Sequence, residues 1–178
     1  IAHPSHMIEG FIKGLKARRP ALFNLYAACQ PEHGIGDDMS HERSRVAVES
    51  RAYPIFKYDP DAGKTPAECF DLDGNPVMHE TWPTYELKYL EGKREKSMTL
   101  ALTFADFAVA EVRFRKHFRI APPDTWNENM VQLADFLQLD EDEREGQFPY
   151  IWSVDKKNRL TRLLVDSTAL VAGNEALS

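Results

Sequence analysis

The sequence predicts an α/β fold: part of an open, mainly parallel sheet, followed by a helical segment and a C-terminal β-hairpin. Helical and strand patterns alternate over the first 60 residues, which is typical of α/β folds. The apolar run 21–28 has the length of a strand, and it predicts a strand buried on both faces, as in a parallel sheet. The segments 148–154 and 160–165 alternate in polarity around a polar turn, which predicts the hairpin.

The composition is that of a globular protein with enough apolar residues for a core: 178 residues, 43% hydrophobic and 11% aromatic. Two cysteines are too few for a disulfide scaffold. The longest apolar stretches, 20–29 and 99–110, are shorter than the roughly 20 residues that cross a bilayer, so no membrane span is expected. The net charge of −6 argues against nucleic acid as a partner, because phosphate binding needs an excess of Lys and Arg.

The two ends of the sequence indicate a piece of a larger polypeptide. The first residue is Ile1, the first methionine is Met7, and residues 172–178 stop inside a helical pattern. The alternative is that PSHM at 4–7 is a vector-derived remnant. The helical periodicity that runs smoothly across these positions favours the first interpretation.

The first 60 residues are predicted to hold two helices and two strands. An amphipathic helix is predicted over 5–19, with Ser5 as its cap. A proline and two glycines then indicate a loop over 29–38. A second helix is predicted over 40–51, and a second strand over 54–58. The inward positions of the second helix are Val46, Ala47 and Ser50.

The middle of the chain is predicted to hold a linker at 62–66 and a short hairpin. Its strands, 69–72 and 77–78, would flank a type I′ turn at 73–75. Asp71, Asp73 and Asn75 have the spacing of the first part of a calcium loop. The glycine and the distal glutamate of such a loop are misplaced, which favours the hairpin.

Two further helices are predicted, at 99–118 and 126–139. The first carries an apolar stripe that Glu111 interrupts, and an ion pair with Arg115 one turn on is favoured over a catalytic role for this carboxylate. The acidic run 140–145 is predicted to be a solvated connection.

The loop 29–38 carries the densest group of ligand-type side chains, and loops of this kind bind ligands in α/β sheets. Three functions suit its residues: a zinc site, a Cys/His nucleophile pair, or one thiolate of a cluster whose other ligands lie elsewhere. Spacing alone favours a further alternative, a buried and inert cysteine. The candidate residues are Cys29, His33, Asp37 and His41.

Three segments resemble one enzyme family. They are LYAAC at 25–29 followed by His33-Gly34, RVAVES at 45–50, and YPIFKYDP at 53–60. Together they resemble the C-terminal part of the thiamine-pyrophosphate-binding domain of pyruvate:ferredoxin (flavodoxin) oxidoreductases. The resemblance is good over 1–60, vague to about 120 and absent beyond. It divides the chain into the C-terminal half of a thiamine-diphosphate-binding-like α/β domain (1–62), a linker and hairpin (63–98), and a helical plus hairpin appendage (99–178).

The resemblance implies a role for Cys29 as the last thiolate ligand of the [4Fe–4S] cluster nearest the thiamine diphosphate. The family decarboxylates pyruvate or a related 2-oxoacid on thiamine diphosphate with Mg²⁺, and it passes electrons through such clusters to ferredoxin or flavodoxin and the acyl group to coenzyme A. Cys69 matches no ligand position, and Gln30-Pro31-Glu32 stand where the family more typically has an apolar residue.

The other three cluster cysteines and the diphosphate-anchoring motif lie upstream in the family. The resemblance therefore implies that the remainder of the same polypeptide is a partner, that the full-length protein is a homodimer in the cytoplasm, and that this chain alone is inactive. The alternative is a degenerate α/β module that serves as a subunit-contact or docking surface without catalysis.

Overall fold

The described residues of this chain form a mixed α/β fold, with one mixed sheet and two antiparallel strand pairs. A computed structural model describes residues 2–29, 33–34, 36–77 and 81–170. The helices are α1 Pro4–Lys16, α2 Ser40–Glu49, α3 Phe104–Ala110 and α4 Leu133–Phe136. The strands are β1 Lys57–Tyr58, β2 Phe70–Asp71, β3 Thr84–Glu91, β4 Arg94–Ala101, β5 Phe118–Ala121, β6 Met130–Gln132, β7 Phe148–Val154 and β8 Leu160–Val165.

The strand pairing does not confirm an open, mainly parallel sheet. The largest sheet of the described residues has four strands in the order β5-β8-β7-β6, and β6 and β7 are its parallel pair. The pairs β1-β2 and β3-β4 are separate and antiparallel. Among the described residues no helix is both long and apolar enough to cross a membrane.

The predicted C-terminal hairpin is confirmed. Strands β7 and β8 pair antiparallel, with Ile151 opposite Leu163. The Asp155 carboxylate accepts backbone N–H groups of Lys157 and Arg159, so the turn is closed by a side chain that mimics the backbone.

Both N-terminal helices are confirmed, with one change at a cap. His3 precedes α1 as its N-cap and no side chain caps the helix, so the predicted role of Ser5 is wrong. In α2 the inward positions are as predicted, because Val46 and Ala47 are buried and Ser50, which follows the helix, is fully buried.

The run 21–28 is not a strand, which corrects the prediction from its apolar composition. It has no strand partner among the described residues, and its side chains are not buried: Leu22 is 93% exposed and Leu25 60%. An apolar run forms a strand only where neighbouring backbone offers hydrogen-bond partners, and no described strand lies beside this one.

The strand predicted at 54–58 shortens to β1, which pairs antiparallel with β2. The Asn75 side chain accepts from the backbone N–H of Ile55 at 2.9 Å and donates to its carbonyl oxygen. At Ile55 the Asn75 side chain therefore supplies the two backbone hydrogen bonds that a neighbouring strand would supply. The turn at 73–75 is present, but a positive φ occurs at Gly74 and not at Asp73, so it is not type I′. The predicted pairing of 69–72 with 77–78 is not found among the described residues, because β2 pairs with β1 and Val77 is in no strand; Met78 lies outside the described residues.

The long helix predicted over 99–118 is wrong. Its first residues complete β4, because Thr99 pairs with Glu86. Helix α3 starts only after Thr103, where Thr103 and Asp106 form a capping box. Glu111 has extended dihedral angles and ends the helix. A 3₁₀ helix, Val112–His117, leads into β5.

The helix predicted over 126–139 is also wrong for most of its length. Met130–Gln132 form β6, because they pair in parallel with residues 148–150 of β7. The helical part is the single turn α4.

Two apolar clusters form the core. The larger lies in the second half of the chain and contains Trp82, Ala105, Leu133, Leu137, Ile151, Val165 and Ala169. The smaller joins α2 to α3 and contains Val46, Ala47, Leu102 and Phe107, with Tyr26 packed against it. The smaller cluster therefore brings the segment that precedes Cys29 against α3.

Candidate functional site

Cys29 is an exposed, free thiol on a backbone that His33 holds at two points. The Cys29 N–H donates to His33 Nδ1 at 2.9 Å, and the His33 N–H donates to the Cys29 carbonyl at 3.0 Å. His33 Nδ1 also lies 3.2 Å from that carbonyl, but the shorter contact assigns Nδ1 as the acceptor. The imidazole then carries its proton on Nε2.

The other imidazole nitrogen faces a fully buried carboxylate. His33 Nε2 lies 3.5 Å from Glu111 Oε2, and Glu111 is 0% exposed. The Tyr26 hydroxyl donates to Glu111 Oε1 at 3.4 Å, and Arg113 Nε lies 3.4 Å from Oε2. We call Tyr26, His33, Glu111 and Arg113 the Glu111 cluster.

The electrostatics of the Glu111 cluster keep Tyr26 a hydrogen-bond donor. Burial and the neighbouring Glu111 carboxylate raise the pKa of Tyr26 to about 12, so its phenol stays protonated well above physiological pH. The Arg113 guanidinium lies partly in solvent, 4.8 Å from the centre of the Phe114 ring. It brings a positive charge to the mouth of the site.

Gly34 fixes the loop against the residues that follow Glu111. Its φ is +66°, which favours glycine, and a Cβ at this position would lie 2.1 Å from Val112 Cγ2. The close approach of Gly34 and Val112 is a second link between the cysteine loop and the segment after α3.

An aromatic cleft of about 380 Å³ lies beside the Glu111 cluster. This volume is at the lower end of the range for small-molecule sites. Cys29 does not line the cleft. Its aromatic walls are Tyr26, Tyr53, Phe104, Phe107 and Phe114, and its polar walls are His33 and Arg113.

The structure brings together two of the four residues that the loop suggested. Cys29 and His33 are in contact, whereas His41 is exposed on α2. Asp37 begins the 3₁₀ helix Asp37–Met39, and its side chain lies outside the described part of the chain. The second cysteine, Cys69, is buried, and its thiol lies 3.7 Å from the Gly63 carbonyl.

A complete metal site is absent from the described residues. Within ranges 2–29, 33–34, 36–77 and 81–170, no three His, Cys, Asp or Glu side chains come together to hold a metal ion. An exposed thiol such as that of Cys29 suits a single ligand position of an iron–sulfur cluster, with the remaining ligands supplied from elsewhere.

Sequence reasoning missed the central member of the site. Glu111 was predicted to be an ion pair partner of Arg115 at a helix edge, but it is buried and faces His33, Tyr26 and Arg113. The signal that could have found it is its position as the one charged residue inside an apolar stripe. Tyr26 carried no signal, because it lies inside a nearly continuous apolar run.

No family model matches this chain, and no curated protein or solved structure shows significant similarity to it. The functional conclusion therefore depends on the site itself and on the resemblance of residues 25–60.

Proposed function

We propose that this chain is part of a 2-oxoacid:acceptor oxidoreductase, with pyruvate as the first substrate to test, in which Cys29 supplies one thiolate of a [4Fe–4S] cluster. The observation that carries the proposal is the state of Cys29: its thiol is free and exposed, while its backbone is held from both sides by His33. A cluster ligand needs both an accessible sulfur and a fixed backbone.

The surroundings of Cys29 support a second part of the proposal, that the remainder of the polypeptide covers this region. The segment that leads to Cys29 exposes large apolar side chains, with Leu22 93%, Leu25 60% and Phe23 38% exposed. Several large apolar side chains exposed close together are typical of an interface. The run 21–28 would then gain in the whole protein the neighbours that it lacks among the described residues.

The proposal assigns one cluster ligand to this chain and the other ligands and cofactors to the rest of the enzyme. One thiolate comes from Cys29, whereas the thiamine diphosphate, its Mg²⁺ and the other cluster ligands belong to the rest of a homodimeric, cytoplasmic enzyme. Such a cluster supplies one-electron transfer, here to ferredoxin or flavodoxin, while the acyl group passes to coenzyme A.

The test is anaerobic reconstitution of the full-length polypeptide with iron and sulfide. We expect cluster absorption that Cys29→Ser diminishes and that the matched variant Cys69→Ser leaves unchanged, because the Cys69 thiol is buried against Gly63. Equal absorption in Cys29→Ser and the parent protein would remove Cys29 from the ligand set.

A second candidate function is a docking module without catalysis, and the exposed apolar residues of α1 favour it. Ile8, Ile12 and Leu15 are 52%, 48% and 79% exposed, so the apolar face of this helix is largely uncovered. Absence of any cluster absorption from the reconstituted full-length protein would select the docking module over the oxidoreductase.

A further inference from the structure

The segment that carries Cys29 contacts one distant side chain at both of its ends. Tyr26 precedes the cysteine by three residues, and His33 follows it by four. Both face the Glu111 carboxylate, at 3.4 Å from the Tyr26 hydroxyl and 3.5 Å from His33 Nε2. Since His33 also accepts the Cys29 N–H, a chain of contacts runs from Glu111 to the backbone of the cysteine.

Apolar packing alone does not explain why a glutamate is buried at position 111. A carboxylate at 0% exposure is costly unless charged or hydrogen-bonding partners compensate for the lost water. A Leu or Met would fill the same space at the end of α3 without that cost. The carboxylate does what those side chains cannot do, because it meets a phenol and an imidazole from the cysteine segment.

A backbone contact supports the same connection independently. Gly34 lies against Val112, so closely that a Cβ on the glycine would overlap the valine side chain. The cysteine loop and the segment 111–114 therefore meet at two places, one polar and one apolar.

We infer that Glu111 is a positioning residue for Cys29: through Tyr26 and His33 its buried carboxylate fixes the backbone from which the cysteine thiol projects. This gives the predicted appendage 99–178 a role in the site, since Glu111 belongs to it. The meaning of the fixed backbone for cluster binding rests on the proposed function, but the contacts themselves do not.

The test is amide hydrogen exchange in the cluster-free chain, read at Cys29 and at Ser50. The Cys29 N–H is protected by its bond to His33 Nδ1, and the Ser50 N–H donates to the Val46 carbonyl at the end of α2. We expect Glu111→Leu to speed exchange at Cys29 by about tenfold or more relative to Ser50, because a lost bond to a charged group opens the structure locally. Glu111→Gln, which keeps the size and one acceptor oxygen, should lie between this variant and the parent.

The matched control is Asp106→Asn. Asp106 lies in α3, the helix that ends directly before Glu111. Asp106 accepts from the Tyr85 hydroxyl at 2.9 Å and from Thr103, where it caps α3, and both of these partners lie outside the Cys29 segment. We expect this variant to leave the Cys29 to Ser50 ratio within about twofold of the parent. Equal ratios in the parent, Asp106→Asn and Glu111→Gln would overturn the inference, even if Glu111→Leu did not fold.

A second measurement separates this inference from the proposed function. In the reconstituted full-length protein, Glu111→Gln should lose cluster absorption in air several times faster than Asp106→Asn, by the local opening that exchange reports. If exchange responds to Glu111 but Cys29→Ser leaves cluster absorption unchanged, the proposed function fails and the positioning of Cys29 stands. If Cys29→Ser removes the cluster and amide exchange at Cys29 does not respond to substitution of Glu111, the proposed function stands and the positioning role of Glu111 fails.

Discussion

The two halves of this chain are held together by different forces. Residues 81–170 contain the four-stranded sheet, the β3-β4 hairpin and the larger apolar cluster. Residues 2–77 contain two helices and a pair of two-residue strands, and they carry most of the exposed large apolar side chains. None of the residues in α1 is buried.

Outside α2, whose Val46 and Ala47 pack in the smaller apolar cluster, polar contacts hold much of the first half. The Asn75 side chain bonds to Ile55 and Leu72, and Lys57 forms ion pairs with Glu9 and Asp71. Apolar burial scales with area and dominates stability, whereas exposed polar contacts contribute little each. The difference teaches that the second half is stable through its own core, while the first half depends on α2, on such polar contacts and on whatever covers its apolar surface.

The largest expected effect is in the core of the second half. Leu133 is 2% exposed in the larger cluster, so Leu133→Ala should lower the free energy of unfolding by about 2–5 kcal/mol. Leu22, 93% exposed, is the matched control, and Leu22→Ala should change it by less than about 0.5 kcal/mol. Urea unfolding measures both. Similar losses in the two variants would mean that the first half is packed as tightly as the second.

The next effect is the removal of the Asn75 side chain. Asn75→Ala leaves backbone groups of Ile55 and Leu72 without these partners, which should cost about 1–3 kcal/mol. We expect the loss as faster amide exchange at Ile55, with exchange in β7 unaffected. Asn127→Ala, at an exposed turn of the second half, is the control. A global loss of stability in Asn75→Ala would contradict the separation of the two halves.

Acid should act in opposite directions on the Lys57 contacts of the first half and on Asp106 of the second half. Hydrogen bonds from Lys57 lower the pKa of Asp71 and of Glu9. The stabilisation from these contacts is therefore fully present above the carboxyl pKa of the unfolded chain, about 4, and is lost as the pH falls through the pKa of the folded chain. Burial raises the pKa of Asp106, so this carboxyl opposes folding at higher pH, and acidification relieves it.

The measurement is an NMR titration from about pH 6 to about pH 3, a window set by those carboxyl values. We expect signals of β1 and β2 to lose dispersion before those of α3, which contains Asp106, and Asp71→Asn to show the loss already at the higher pH. Simultaneous loss in β1, β2 and α3 would contradict this difference between the Lys57 contacts and Asp106.

The smallest effect is at the surface pair Arg19–Asp61, whose side chains are 51% and 72% exposed. Asp61→Asn should change the free energy of unfolding by no more than about 0.5 kcal/mol, because solvent and salt screen such a pair. Urea unfolding at low and high salt measures it. A larger, salt-dependent loss would show that even exposed charges matter to the first half.

Local sequence signals predicted several elements. Helix α1 repeats apolar residues at helical spacing, and α2 places Val46 and Ala47 inward. The β7-β8 hairpin alternates around a turn that Asp155 closes with its own side chain. In each case the residues that decide the conformation are near neighbours in sequence, so a pattern of a few residues contains the information.

Contacts between distant residues decided the rest. The run 21–28 has the composition of a strand, but the described chain gives its backbone no partner strand. Residues 99–101 have a helical pattern, but they pair with β3 and form the end of β4. The Thr103–Asp106 capping box then sets the start of the helix. Both outcomes depend on which segment reaches a neighbour, which no local pattern encodes.

The candidate site divides in the same way. The sequence by itself determined that Cys29, His33 and Gly34 lie close together along the chain and that Glu111 interrupts an apolar stripe. Only the tertiary structure decided that the loop and the glutamate meet, with Tyr26 and Glu111 bonded across 85 positions. The physical reason is that a carboxylate is buried where donors converge on it, and Tyr26 reaches Glu111 because it packs against the cluster that joins α2 to α3.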